Sequence, residues 1–233
     1  MTKHKLYQQF IKLLSTFDGI PALCIRLYLA PVFIMAGLSK TQVFNDDVSG
    51  LMSLFADPNI INWFGNSEWG LGLPFPAFLV NLVIMVELVG GLFLLFGLFT
   101  RLVSIPLMFT MLVAATSVHA ENGWFAITPT NAQISPAQIF DLVGFEEGEK
   151  SLNNSEEASK RLSVMKDILE EHGNTNWLYE KGNIVILNNG VEFSITYFIM
   201  LLSLFFIGGG RFTSIDHLIM HKYLKPKATS SKL

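Results

Sequence analysis

The chain has 233 residues, of which 51% are hydrophobic and only 15% are charged. A soluble domain carries about 25% charged residues, so this composition excludes an ordinary water-soluble globular protein. The formal net charge is −3 and no basic cluster is present, which argues against nucleic acid as a partner. The single cysteine, Cys24, cannot form an internal disulfide.

Residues 1–19 are predicted to form an amphipathic segment that lies on the membrane surface. Apolar side chains recur there at helical spacing, and polar side chains fall between them. The apolar positions are Leu6, Phe10, Leu13, Leu14 and Phe17. Pro21 suits the first turn of the helix that follows.

Four long apolar stretches follow along the chain, at residues 20–38, 75–99, 102–118 and 191–207. Each is close to the roughly 20 residues with which an α-helix crosses the hydrocarbon core of a bilayer. We therefore predict an all-α membrane protein, a four-transmembrane-helix bundle whose partner is the lipid bilayer. The first three spans fall within residues 20–118 and the fourth within residues 191–208. A short link, GLFTR, makes the second and third spans an antiparallel hairpin.

Two long connections separate the predicted spans. The first, residues 39–74, is an aromatic loop whose Trp63 and Trp69 suit the membrane interface and are candidate binding residues. The second, residues 119–190, is more polar and is expected to contain an amphipathic helix at about 156–172.

The distribution of Lys and Arg predicts that both ends of the chain face the cytoplasm, because basic residues near the ends of spans favour that side. These residues occur in the first segment, in the link between spans two and three, and in the tail over residues 209–233. They are Lys3, Lys5, Lys12, Arg101, Arg211, Lys222, Lys225, Lys227 and Lys232. Both long connections are acidic and are expected to lie outside.

Two charged residues lie inside predicted spans, where a charge is costly and needs a reason. Glu87 is near the middle of the second span, and Arg26 lies about two turns inside the first. One hypothesis is a buried Arg26–Glu87 pair that lines a catalytic polar site for a quinone head group or a proton. The alternative is a structural pair that fixes helix register, or an arginine that reaches the inner interface.

His119 lies at the outer end of the third span and is a candidate to bind a metal ion or to move a proton. The alternative is an ordinary polar residue at the interface. Met108 and Met111 are of a type that ligates Cu(I), although methionine in an apolar helix usually serves packing. No HExxH or CxxC pattern is present, so these spacings define no metal site.

The runs RLYLAPVFIMAGLSK and ELVGGLFLLFGLFTR resemble the DoxX family of small bacterial four-helix membrane proteins. The family pattern has an arginine and a lysine on the first span, a Glu-x-x-Gly-Gly stretch on the second, and an arginine after it. The matching residues are Arg26, Gly37, Lys40, Glu87, Gly90, Gly91, Gly97 and Arg101. The resemblance makes Lys40 and Arg101 candidate binding residues.

A closer resemblance is to the HvfX-like branch, carried by WFGNSEWGLGLPFP and PLMFTMLVAATSVHAENGW in particular. Ala120 departs from it, because an aromatic residue is expected after His119. The resemblance implies a protein of the bacterial inner membrane that works beside the maturation enzymes of copper-binding modified peptides. It also links the chain to membrane oxidoreductase systems, some of which use quinones.

These features support one leading hypothesis and two alternatives. The leading hypothesis is an accessory protein in copper-peptide maturation, either a redox component that interacts with quinone or a scaffold, with Lys40 and His119 at the outer mouth of the polar site. The alternatives are a transporter or exporter subunit for copper or the modified peptide, and a structural membrane recruiter of a soluble partner. Quinone and copper are the candidate cofactors, and an oligomer remains compatible with each hypothesis.

Overall fold

The computed structural model describes residues 3–224, in which the regular secondary structure is all helical, without a β-strand. Part of the predicted cytoplasmic tail, including Lys225, Lys227 and Lys232, lies outside the described residues. The α-helices are α1 (Lys3–Thr16), α2 (Ile20–Leu38), α3 (Pro58–Gly65), α4 (Pro76–Phe96), α5 (Thr100–Val113), α6 (Ala137–Leu142), α7 (Glu146–His172), α8 (Thr175–Leu178), α9 (Glu192–Ile207) and α10 (Ile215–Ile219).

Three helical segments are long and apolar enough to cross a membrane: Tyr7–Leu38, Pro76–Phe96 and Thr100–Asn122. The first and third predicted spans lie within these segments, and the second, predicted at residues 75–99, corresponds to the shorter helix Pro76–Phe96. The fourth predicted span corresponds to α9, an apolar helix of 16 residues. At 1.5 Å per residue α9 is about 24 Å long, which is shorter than a hydrocarbon core of about 30 Å.

The chain forms two compact units, the first of which combines the residues up to Met111 with those from Tyr197 onward. Its core is apolar and contains fully buried side chains from four helices. They are Leu29 and Phe33 of α2, Leu94 of α4, Leu107 of α5, and Leu201 and Leu204 of α9. A smaller cluster joins α3 to the first half of α4 through Phe64, Val80 and Ile84.

Helices α2 and α4 approach closely because glycines face the partner helix. A Cβ atom added at Gly91 would lie 2.8 Å from the Ile34 side chain and 3.1 Å from the Ala30 carbonyl oxygen. A Cβ atom added at Gly37 would lie 2.8 Å from the Leu88 side chain. Small residues of this kind let helix backbones pack tightly where no hydrophobic effect drives them together.

The second unit, Leu112–Thr196, contains α6, α7 and α8. Helix α7 begins at Glu146, about ten residues before the predicted start of the helix expected at 156–172. Its first ten residues include one large apolar side chain, Leu152, so no apolar period marks them in the sequence. The favourable placement of Glu146, Glu147 and Glu149 at the positive end of the helix dipole accounts for the earlier start.

Gly91→Ala is expected to lower the free energy of unfolding by about 1–3 kcal/mol, the usual cost of overpacking a core. The added methyl group would meet backbone atoms of Ala30 and Ile34, which cannot rotate aside. Gly90→Ala is the matched control, because the three atoms nearest to its methyl group would all belong to the Leu107 side chain, the first at 3.0 Å. Both variants gain similar helix propensity. Unfolding in one detergent measures the difference, and equal stabilities would contradict the close backbone approach.

Candidate functional site

The most prominent charged site in the first unit is an ion pair between Lys40 and Glu87. The Lys40 Nζ atom lies 2.7 Å from Oε2 of Glu87 and also donates a hydrogen bond of 3.0 Å to the Ala36 carbonyl oxygen. The Glu87 side chain is 5% exposed and the Lys40 side chain is 24% exposed. The carboxylate is therefore enclosed, while the Lys40 side chain remains partly exposed.

The position of Lys40 follows from the end of α2. The helix ends at Leu38, and the Lys40 side chain turns back to bind a carbonyl group of its last turn. A cation at that place is favoured by the negative end of the helix dipole. Gly37, in the same turn, packs against Glu87 and Leu88. Glu87 is thus at the middle of its own helix but level with the end of α2.

Arg26 lies in a separate site made almost entirely of backbone carbonyl groups. Its Nε atom donates to Leu94 O at 2.9 Å, and its Nη2 atom donates to Leu95 O at 3.3 Å and to Thr213 O at 3.1 Å. Its Nη1 atom donates to the carbonyl oxygen of Gly209. Arg26 is 1% exposed. Four of the five guanidinium N–H groups are thereby used.

The predicted Arg26–Glu87 pair is not formed. Arg26 binds the end of α4 at Leu94, seven residues beyond Glu87 and therefore about 10 Å further along the helix axis. The carbonyl groups at a helix C-terminus lack partners within the helix, so they attract the arginine donors more readily than a distant side chain can. Glu87 takes Lys40 as its partner instead.

Arg101 and Asp216 form further hydrogen bonds to helix ends in the first unit. Arg101 donates from Nη2 to Phe206 O at 3.0 Å, near the end of α9. Asp216 accepts from the backbone amides of Phe99 and Thr100, at 2.7 and 2.8 Å, and thereby satisfies free amides at the start of α5. Arg101 was expected to bind a ligand, and its described contact is structural. The role of Asp216 was missed, because its partners lie more than 100 residues away.

The two tryptophans of the first long connection have different surroundings. Trp63 is partly buried, packs on the α3–α4 cluster, and its ring meets that of Phe64 edge-on at a centroid distance of 5.4 Å. Trp69 is 58% exposed. An exposed tryptophan suits an interfacial or binding role, whereas the contacts of Trp63 are those of a packing residue.

His119 belongs to the second unit and ends a π-helical turn, Ala114–His119. Its Nδ1 atom lies 2.9 Å from the Asn189 carbonyl oxygen. A carbonyl oxygen only accepts, so Nδ1 carries the proton, and Nε2 of the neutral ring holds the lone pair. Within residues 3–224, no group of three His, Cys, Asp or Glu side chains is arranged to hold a metal ion.

One histidine pattern was missed by the sequence analysis. His217 and His221 are four residues apart at the end of the described chain, and their ring centroids are 5.9 Å apart. His217 also meets the Phe212 ring at 5.1 Å. The spacing His-x-x-x-His was the signal that could have identified this pair.

The three long apolar helices and the enclosed charges between them define a multi-pass membrane protein. Residues 22–120 match the DoxX family model. The match covers fewer than half of the 233 residues and includes Arg26, Lys40 and Glu87. The chain is therefore a multi-pass membrane protein whose residues 22–120 are similar to the DoxX family. No curated protein and no solved structure matches it.

Arg26→Lys is expected to lower the free energy of unfolding by about 2–3 kcal/mol, because a lysine ammonium cannot reproduce the planar fork that binds four carbonyl groups. Arg101→Lys is the matched control: Arg101 is exposed and makes one hydrogen bond, so the expected loss is below about 1 kcal/mol. Chemical denaturation in detergent measures both changes. Equal losses of stability in the two variants would show that the four carbonyl contacts of Arg26 do not contribute more than the single contact of Arg101.

Proposed function

We propose that this chain is an inner-membrane accessory protein of the HvfX-like branch, which supports the maturation of a copper-binding modified peptide by interacting with quinone. The proposal assigns the Lys40–Glu87 pair as the functional site. The observation that carries it is a cation in the DoxX domain that is bound to a buried carboxylate yet remains partly exposed. The resemblance of the outer connections to the HvfX-like branch supplies the biological context.

The chemistry of the pair suits a quinone head group. Lys40 has three N–H donors, and two of them bind Glu87 and the Ala36 carbonyl oxygen. The third is available to a carbonyl oxygen of a ligand. Glu87 holds the ammonium in place and is a group that can accept a proton. Redox chemistry would come from the bound quinone, while these two side chains would bind and orient it.

The proposal includes four spans with both chain ends in the cytoplasm. Helix α9 serves as the fourth span, supported by the full burial of Leu201 and Leu204 in the same core as α2, α4 and α5. The helix ends at Ile207, and the chain beyond it, from Gly208, adds to the length available to cross the membrane. The basic residues at both ends and the acidic connections support the orientation. A tag after residue 233 that is accessible from outside intact cells would contradict it.

Paired substitutions separate a functional role of the ion pair from a structural one. Lys40→Met leaves a buried carboxylate unpaired and is expected to cost about 3–5 kcal/mol of stability. Glu87→Met costs less, because the lysine can turn toward the exposed side. The double variant Lys40→Met/Glu87→Met is expected to recover most of the stability, since an apolar pair can replace an ion pair in a core.

The double variant is expected to stay folded and to lose peptide maturation, measured as the yield of modified peptide by mass spectrometry in cells that lack the wild-type gene. Denaturation in detergent gives the stabilities, and Arg101→Lys serves as a folded control. If the double variant matures the peptide at the wild-type level, the pair is structural and the proposed site is wrong.

Two other functions make different predictions about what the protein carries. We expect protein purified from native membranes to contain quinone, and Lys40→Met to contain less than one fifth as much. Extraction and mass analysis measure quinone and metal together. Stoichiometric copper without quinone would instead favour a transporter or exporter subunit. Absence of both would favour a structural recruiter, for which α7, a helix of 27 residues with many exposed charges, would serve as the contact.

A further inference from the structure

The second unit contains an aromatic pocket of about 250 Å³ between the segment after the π-helical turn, α6 and the start of α7. Three rings form a continuous wall. The Trp124 and Phe140 centroids are 6.3 Å apart, and the Phe140 and Phe145 centroids are 6.4 Å apart. Phe125, Ala137, Gly148 and Ser151 complete the apolar part of the lining. The aromatic side of the pocket is thus formed by rings that contact one another in sequence.

The pocket is a consequence of tight packing between α6 and α7. A Cβ atom added at Gly148 would lie 2.8 Å from the Phe140 carbonyl carbon, so only glycine allows this approach. Ala137 is 2% exposed and fixes α6 on the other side. Because backbone contacts hold both sides, the gap between the rings is a preformed cavity.

The rings that line the pocket are open to their surroundings. Trp124 is 41% exposed, Phe140 43% and Phe145 59%. Apolar surface left in water costs about 25 cal/mol per Å², so a ligand with an apolar group would gain free energy by covering these rings. Ring faces also attract a cation that lies over them.

The mouth of the aromatic pocket is polar and carries a negative balance of charge. Here the mouth means an adjoining cavity of about 450 Å³, which shares Trp124, Phe125, Glu147 and Ser151 with the pocket and adds Glu121 and Lys150. Lys150 is engaged by two carboxylates, at 3.6 Å from Glu146 and 3.7 Å from Glu147. Glu121 therefore has no matching cation at the mouth, and a positive ligand is favoured over a negative one.

We infer that the aromatic pocket binds an organic cation that carries a bulky apolar group. The apolar group lies against Trp124, Phe140 and Phe145, and the positive charge lies at the mouth beside Glu147 and Glu121. Two sources have this chemistry: a free lipophilic amine, and a peptide in which an aromatic residue adjoins a basic one. The pocket lies beyond the segment that matches DoxX, so it is independent of the Lys40–Glu87 site.

Calorimetric titration of the full chain in lipid nanodiscs tests the inference with matched probes. 4-Phenylbutylamine is expected to bind at least tenfold more tightly than 4-phenylbutyrate, which has the opposite charge, and than butylamine, which lacks the ring. Ser151→Phe fills the pocket and is expected to abolish binding. Asn153→Phe is the control, because this exposed residue on the same helix does not line either cavity.

A charge variant tests the mouth separately. Glu147→Gln is expected to weaken amine binding by about two- to fivefold, the range for a partly exposed ion pair. Glu156→Gln, which removes an exposed charge elsewhere on α7, is expected to leave the affinity unchanged. Circular dichroism checks that each variant keeps its helix content.

Acetyl-Phe-Arg-amide and acetyl-Phe-Glu-amide distinguish the two sources. Tighter binding of the Phe-Arg peptide than of 4-phenylbutylamine, with the same loss in Ser151→Phe, supports a peptide ligand; the reverse order supports a free amine. Equal affinity for the amine and for 4-phenylbutyrate would overturn the inference. So would binding that survives Ser151→Phe, or the absence of binding by every probe.

Discussion

The Arg26 guanidinium group is the contact on which the arrangement of the first unit depends. Helix ends leave carbonyl groups without partners, and an apolar environment supplies no water to satisfy them. Arginine is the side chain with enough donors in a fixed plane to serve several such groups at once. By binding Leu94, Leu95, Gly209 and Thr213, it holds the end of α4 and the chain after α9 against α2.

Arg26 in α2 and Lys40 just after its end have different partners, and these partners determine whether each cation can still bind a ligand. Arg26 and Lys40 are 14 residues apart, or about 21 Å along a helix. The donors of Arg26 are almost all used by backbone groups, which leaves little capacity for a ligand. Lys40 binds one carboxylate and one carbonyl group and keeps an exposed side. For this reason the proposed function is assigned to Lys40 and Glu87 and not to Arg26.

The sequence was sufficient to predict that the fold is helical and to locate the helices that lie in apolar runs. It also identified Glu87 and Arg26, because a charge in such a run stands out. It did not identify their partners. Lys40 is 47 residues from Glu87, and nothing in the local pattern around either residue indicates the contact. The partners of Arg26 are backbone carbonyl groups, which every residue has and no side-chain pattern reveals.

The early part of α7 could not be predicted for a related reason. Its first ten residues, from Glu146, have no apolar period, since Leu152 is the one large apolar residue among them. Their helical state depends on charge placement and on the close contact of Gly148 with α6. The same contact between Gly148 and α6 also borders the aromatic pocket. No pattern in the sequence indicates this contact, so neither the start of the helix nor the cavity could be predicted.

The DoxX match ends at residue 120, and the two candidate sites of the chain fall on different sides of this boundary. The Lys40–Glu87 pair lies within the matched segment. Except for Ala120, the residues that line the two cavities of the second unit, including Trp124 and Phe140, lie beyond it. The proposed quinone site therefore rests on residues within the DoxX match, whereas the proposed amine site rests on residues outside it. The two proposals can be tested by separate substitutions, because no residue is common to the Lys40–Glu87 pair and the aromatic pocket between α5 and α9.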